Sequence, residues 1–404
     1  MNRSFRIEDC CDILDSKRVP INGETRDGMK GNIPYYGANG IQGYINKYIF
    51  DEPLILMAED GGNFDDYNER PICYKVEGKS WVNNHAHILR AKTGFNQEYI
   101  FYSLVHKNIT NVIKGGTRSK LNGSELKNIQ IVLPPLPQQK KIAKILGTVD
   151  AQIEATEKLI AKYEMLKEGL LHDLFTRGID TTTGKLRSHP KQAPHLYKNS
   201  PLGLIPKEWE VKKLGEVTSY VDYRGRSPIK SDKGILLVTA KNIKFGFIDY
   251  EASKEYVEIE NYEQTMSRGY PKIGDILFTT EAPLGNVAQV DMENIALAQR
   301  VIKFRCDKSV LKNTFLKHSI MSSYFQNSLK ANSTGSTVEG IKGSKLHKIS
   351  ILTPSLAEQK SMTQRLDGIG NKMEISNNEL TKLQTLKKGL MQDLLGGKRE
   401  VSSF

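Results

Sequence analysis

Residues 139–174 read QKKIAKILGTVDAQIEATEKLIAKYEMLKEGLLHDL, and residues 359–394 read QKSMTQRLDGIGNKMEISNNELTKLQTLKKGLMQDL. Slid by 220 positions (359 − 139), the two stretches align without a gap. The match extends upstream to Gly115 and Gly335, taking in Thr117/Thr337, Gly123-Ser124/Gly343-Ser344, Leu126/Leu346, Ile129/Ile349, Ile131/Ile351 and Pro134/Pro354. About a third of the pairs from 115 to 174 are identical, which marks an internal duplication. Within the first copy apolar residues recur at Ile142, Leu146, Val149, Ile153, Ile160, Tyr163, Leu170 and Leu174; within the second at Met362, Leu366, Ile369, Met373, Leu380, Leu383, Leu390 and Leu394. With Thr156/Ser376 and Lys167/Lys387 filling the gaps, the steps alternate four and three, the 3.5-residue period of a coiled-coil seam. Each helix starts shortly after a proline (Pro137, Pro354) and lasts nearly forty residues, about 60 Å at 1.5 Å per residue. That is too long for an ordinary amphipathic helix lying on its own domain.

Upstream of each helix lies a region of short strand-like runs punctuated by glycine and asparagine. The first holds Leu54–Met57, Ile72–Val76 and Ile88-Leu89; the second holds Ile235–Val238, Ile276–Phe278 and Val301–Phe304. Each reads as a small α+β domain. The two are loosely alike: Glu59 after the first run echoes Glu281, and His85-Ala86-His87-Ile88 falls where the other copy has Ala298-Gln299-Arg300-Val301. Gly178 to Pro206, with Thr181–Gly184 and four prolines, reads as an exposed linker. The boundaries are therefore 1–133 and 207–353 for the globular domains, 134–178 and 354–398 for the helices, 179–206 for the linker and 399–404 for a tail.

For the second helix to bury its seam against the first, it has to run back along it. The expected fold is α+β: two small mixed-sheet domains separated by two long antiparallel coiled-coil helices, with pseudo-two-fold symmetry. Such a rod can hold two readers about one DNA turn or a multiple of it apart. Because the readers differ in sequence, their two half-sites should differ.

Composition fits this reading without deciding it. The chain has 404 residues and a net charge of +12. Residues 1–133 carry 17 Lys+Arg against 16 Asp+Glu, and residues 200–353 carry 22 against 17, so neither domain is a basic block. A nucleic-acid face would have to come from charge segregated in space. Cys10, Cys11, Cys73 and Cys306 fit neither a zinc nor a disulfide framework. No apolar run is long enough to span a bilayer and the N-terminus lacks a signal-peptide core, so a cytoplasmic location is expected.

The sequence resembles the specificity subunits of type I restriction-modification systems over nearly its whole length. The resemblance rests on Pro34–Gly40, Trp81–His87, Pro134–Lys140, Pro201–Glu210 and the two Lys-x-Gly-Leu-x-x-Asp-Leu helix ends. It implies two target-recognition domains alternating with two helical spacers. It also implies a bipartite, asymmetric double-stranded DNA target, two methyltransferase subunits as partners, and restriction subunits reached through them. S-adenosylmethionine and ATP with Mg would belong to those partners, and no cofactor or metal to this chain. Recognition domains in this family vary too widely for base-contacting residues to be carried over individually.

Base edges are read by Arg, Lys, Asn and Gln, and phosphates by small polar or basic groups. In the first domain the candidates are Lys17, Arg18, Lys30, Tyr36, Asn39, Asn84, His85 and His87. In the second they are Tyr223, Arg224, Arg226, Lys241, Asn242, Lys244, Gln299 and Arg300. The repeated Gly/Ser/Thr loops add Thr117, Arg118, Lys120 and Thr337 as phosphate contacts. His85-x-His87 would place both rings on one strand face, with no third metal ligand in view.

Catalytic signatures are missing. Gly23 to Lys30 and Gly335 to Lys342 both fail the phosphate-loop pattern. The only Pro-Pro pair, Pro134-Pro135, lacks the Asn/Asp-Pro-Pro-Tyr/Phe setting of an adenine methyltransferase, and there is no His-Glu-x-x-His. The expectation is a non-catalytic subunit. A self-contained DNA-processing enzyme and a coiled-coil scaffold without sequence-specific DNA binding are the rivals.

Overall fold

The computed structural model describes residues 3–113, 119–223, 227–335 and 339–397. Among the candidate contacts, Thr117, Arg118, Arg224, Arg226 and Thr337 lie outside the described residues. The chain divides into two compact units. One is Met1–Lys158 with Asn377–Phe404, the other Leu159–Ser376. The two long helices are Leu136–Arg177, 42 residues, and Leu356–Leu395, 40 residues. Each begins in one unit and ends in the other.

In the first unit Arg3–Arg6 pairs antiparallel with Gln130–Leu133, the strand that leads into the first long helix. Between them a four-stranded antiparallel sheet has the order Cys11–Ile13, Ala86–Ala91, Leu54–Ala58, Cys73–Val76. A second sheet has the order Gly40–Ile45, Lys30–Gly37, Lys79–Val82, Phe50–Asp51, with its two central strands parallel. Every residue of Leu54–Ala58 is buried. Strand alternation splits the run: Ile55 and Met57 join the core around the helix Gln97–Leu104, while Leu54 and Leu56 join Val76, Val82 and Ile88 on the other face.

The second unit repeats this plan. Glu210–Lys213 pairs with Ser350–Thr353 ahead of the second long helix. The four-stranded sheet runs Thr218–Asp222, Val301–Cys306, Ile276–Thr279, Val287–Gln289. A smaller sheet again has a parallel pair, Ile235–Val238 with Ala296–Leu297, and Tyr256–Val257 on its other edge. Ile276 and Phe278 face the core that includes Phe315 and Leu316, and Leu277 faces the other.

The helices run antiparallel within each unit. In the first, Ile142 and Leu146 share a core with Leu390, Met391 and Leu394, and Lys387 pairs with Asp150 at 2.6 Å. In the second, Leu170, Leu171, Leu174 and Phe175 pack with Met362 and Leu366. From Ile153 to Leu170 only positions 153, 156, 160, 163, 167 and 170 escape full exposure. From Asn371 to Leu390 only 373, 376, 380, 383, 387 and 390 do. These are the heptad positions, including the polar ones. Val149 is buried and Ile369 half-buried at the helix starts.

A repeated glutamine joins each helix to its domain. Gln139 Oε1 accepts from the Asn96 N–H at 2.9 Å while its Nε2 donates to the Pro134 carbonyl at 2.7 Å. Gln359 does the same to the Lys312 N–H at 2.9 Å and the Pro354 carbonyl at 2.8 Å. Both are buried.

The segment expected to be an exposed linker is folded instead. Ile179, Ile205 and Trp209 are buried in the second unit, and Tyr197–Ser200 forms a hairpin with Gly203–Pro206. The buried Glu358 carboxylate ties down the start of the segment. It accepts from the Ile179 N–H at 2.8 Å, from Trp209 Nε1 at 3.0 Å and from Arg187 at 2.5 and 3.1 Å.

Candidate nucleic-acid interface

The two recognition regions can be superposed by strand register alone. Ala58 opposes Ala86 at the end of one strand pair, and Thr279 opposes Val301 at the end of its counterpart. Beyond these ends the backbones match bond for bond. The Glu59 N–H donates to the His85 carbonyl and the Leu121 N–H to the Glu59 carbonyl. In the second unit the Thr280 N–H donates to the Arg300 carbonyl and the Ile341 N–H to the Thr280 carbonyl. Isolated bridges Asp60–Lys120 and Glu281–Gly340 complete the match. The register corrects the sequence pairing: His85, not His87, is the counterpart of Arg300, and Asp60, not Glu59, that of Glu281.

At this shared position each unit carries a basic head against an acidic one. His85 Nδ1 lies 3.0 Å from Asp60 Oδ1, and Arg300 Nε lies 2.9 Å from Glu281 Oε1. Both basic side chains reach solvent, at 40% and 50% exposure. Lys120 and Gly340, bridged to the two acids, are the downstream neighbours of the repeated loops.

In the first unit His85 and Asp60 border a cleft of about 470 Å³ that also takes in Arg26, Tyr35, Asn39, Gln42, Asn83 and Asn84. Asn39 Nδ2 donates to the Gly61 carbonyl at 2.9 Å, and Asn83 Nδ2 to Gln42 Oε1 at 3.1 Å. Gly37 lies against the Gln42 amide, which a Cβ there would displace from the cleft. The Arg26 guanidinium lies 5.4 Å from the Tyr35 ring centre, within cation–π range. The cleft thus presents amides, an arginine and an imidazole, the side chains that address base edges. In the second unit Lys241, Lys244, Pro283 and Asn286 line a cleft of about 330 Å³, and the adjoining turn exposes Phe245 and Phe247.

Other candidates serve the fold. Arg18 is mostly buried, pairs with Glu59 at 2.6 Å and donates to the Asn84 and Ala86 carbonyls. His87 is buried, with Nδ1 2.6 Å from Asp15 and Nε2 2.9 Å from the Leu121 carbonyl. It does not share a face with His85, because the strand begins only at Ala86. Burial would raise the Asp15 carboxyl, but the His87 hydrogen bond and charge, the Ile88 N–H and the Arg18 charge together hold it below its ordinary value. Asp15, Glu59 and His87 have metal-ligand spacing, yet Arg18 and Lys120 already answer Glu59. Asn242 is buried and ties Thr239 to the Asp249 and Ser253 carbonyls. Tyr223 is buried with its hydroxyl on the Gly269 carbonyl, and burial pushes its phenol up. Tyr36 is half-buried beside Tyr74. Lys17, Lys30, Asn84, Lys120, Lys241 and Gln299 are exposed and Lys244 partly so.

The family model described as type I restriction modification DNA specificity domain matches residues 2–165 and 206–385. The chain belongs to that family. It is the DNA-specificity subunit of a type I restriction-modification system, the non-catalytic member of the assembly. It is 32% identical to the MjaVIII specificity subunit of Methanocaldococcus jannaschii, over 99% of this chain and 93% of that one. It is 28% identical to a Haemophilus influenzae chain assigned as a type I specificity subunit, over 93% and 88%. The crystal structure of a type I S subunit from M. genitalium shares the fold with a TM-score of 0.64, at 15% identity, covering 98% of this chain and 96% of that one. Among the described residues of this specificity subunit no helix is long and apolar enough to cross a membrane.

Proposed function

We propose that this specificity subunit reads a bipartite, asymmetric double-stranded DNA site, one half through residues 1–133 and the other through residues 207–353. The observation that carries the reading is the equivalent placement of His85/Asp60 and Arg300/Glu281 in two recognition regions only loosely alike in sequence. One architecture with different chemistry at the same spot suits two different half-sites. The two long helices set the gap between them. The subunit holds two methyltransferase subunits on the site, and restriction subunits through them; S-adenosylmethionine and ATP with Mg act on those partners.

The test is made in the assembled methyltransferase, with the modified sequence read by methylome sequencing. Exchanging residues 207–353 for another recognition domain is expected to change one half-site only. Removing one heptad from both helices at facing positions shortens the spacer by about 10 Å, equivalent to about three base pairs, and is expected to narrow the gap accordingly. A change in both half-sites after the exchange would overturn the modular reading. Loss of all sequence dependence in the intact complex would favour the scaffold.

A further inference from the structure

We infer that Arg300 reads a guanine in the half-site of the second recognition domain, with Glu281 as its positioning residue. The inference rests on the DNA-reading role proposed above and adds the residue and the base.

Charge decides between a base and a phosphate. A phosphate contact draws its affinity from an uncompensated cation that releases counterions. Arg300 is not one, because the Glu281 carboxylate lies 2.9 Å from its Nε and offsets much of its charge. Its hydrogen-bonding capacity survives, since a guanidinium has five N–H donors and a clamp on Nε leaves its outer fork for a partner. That fork fits the O6 and N7 acceptors of guanine in the major groove. The carboxylate also restricts the rotamers of a half-exposed side chain before it meets DNA.

The backbone supplies an independent observation. Among the described residues, three non-glycine residues have positive φ: Ala282 at 47°, Asn294 at 56° and Arg300 at 74°. Asparagine is enriched in that region, whereas alanine and arginine enter it uncommonly and at a cost. Ala282 and Arg300 adjoin and include the two members of this ion pair. Strain of this kind persists where the surroundings over-determine a geometry, and it gathers at functional positions. The first domain places His85 at the equivalent point against Asp60. The acid is kept while the reading head changes, as two unlike half-sites require.

The experiment uses the methyltransferase complex with its own target, each position of both half-sites varied in turn, and binding measured across a salt series. For Arg300→Ala, preference for guanine at one position of one half-site should fall about ten- to hundredfold. The other half-site and the salt slope should be unchanged. Arg300→Lys keeps the charge and can still donate to guanine O6 and N7 but lacks the planar fork, so it should keep the preferred base with reduced contrast. Glu281→Gln should keep the preferred base with reduced contrast. Thermal unfolding of each variant shows that the domain is intact. An equal loss on all sequences, with the salt slope falling by about one, would make Arg300 a phosphate contact and overturn the inference. So would an unchanged guanine preference in Arg300→Ala. A wild-type complex without any sequence preference would sink the parent reading as well, and so is distinguishable from failure of the Arg300 assignment alone.

Discussion

Replacing Glu358 by alanine should strongly destabilise the second unit. The carboxylate is 2% exposed and receives hydrogen bonds from the Ile179 N–H, Trp209 Nε1 and both Nη atoms of Arg187. Arg187 is itself only 11% exposed on its side chain, so truncation leaves a poorly solvated cation answered only by the exposed Glu208 carboxylate 3.7 Å away. Removing one member of a buried pair costs about 3–5 kcal/mol. For a unit of this size that lowers the melting temperature by about 6–20 °C. The molecule offers its own reporters, since its two tryptophans, Trp81 and Trp209, lie in different units. In a Trp81→Phe background, fluorescence of Trp209 follows the second unit alone. Glu358→Ala should shift that transition by the stated amount, and Glu358→Ala with Arg187→Met should recover part of it by removing the orphaned charge. A shift below about 0.5 kcal/mol, or a double variant worse than the sum of the singles, would refute the account of this network as the clasp that folds residues 179–206.

Three further outcomes follow from the same contacts. Asp15 has its carboxyl held below the ordinary value, so its contribution to stability is present above the ordinary carboxylate range and disappears as pH falls through the depressed value. Trp81-monitored urea unfolding in a Trp209→Phe background should therefore weaken between pH 7 and pH 3 more steeply in the wild type than in Asp15→Asn. Asp150→Ala should cost more than Lys387→Met, because Asp150 accepts from both Lys387 and the Tyr102 hydroxyl at 2.6 Å; calorimetry of the two variants ranks them. Gln139→Ala and Gln359→Ala should each cost about 1–3 kcal/mol, in the unit that holds the glutamine, because each removes the partner of a part-buried N–H and of a buried carbonyl. Single-tryptophan denaturation assigns each loss to its unit.

The seam was legible because a 3.5-residue period is a local property: every position from Ile153 to Leu170 sorts as in or out by its place in the heptad. The central strands were legible as unbroken apolar runs. What could not be read were pairings across long separations. Glu358 meets Ile179 and Trp209 at 179 and 149 residues' distance, so the proline-rich stretch looked like a bare linker. Nothing local in the sequence marks Asp60 and Glu281 as contacts of the reading heads, because only the strand register brings each to its basic partner. Arg18, His87 and Asn242 had the right chemistry for base edges, but composition carries no information on burial. The same side chains that read bases also satisfy buried carbonyls and carboxylates.

The duplication divides the molecule's labour by exposure. Gln139 and Gln359 are identical, buried and bonded to the same two kinds of backbone group, so the same joint fastens each domain to its helix start. At the far end of each central strand pair the acid is retained as Asp60 or Glu281, while the exposed partner has become an imidazole in one unit and a guanidinium in the other. A change at the joint would re-aim a whole domain, whereas a change at the tip alters one contact and leaves the core intact. A protein built this way can acquire a new half-site by exchanging surface residues or an entire domain, provided the buried glutamine and the helix start that holds it stay in place.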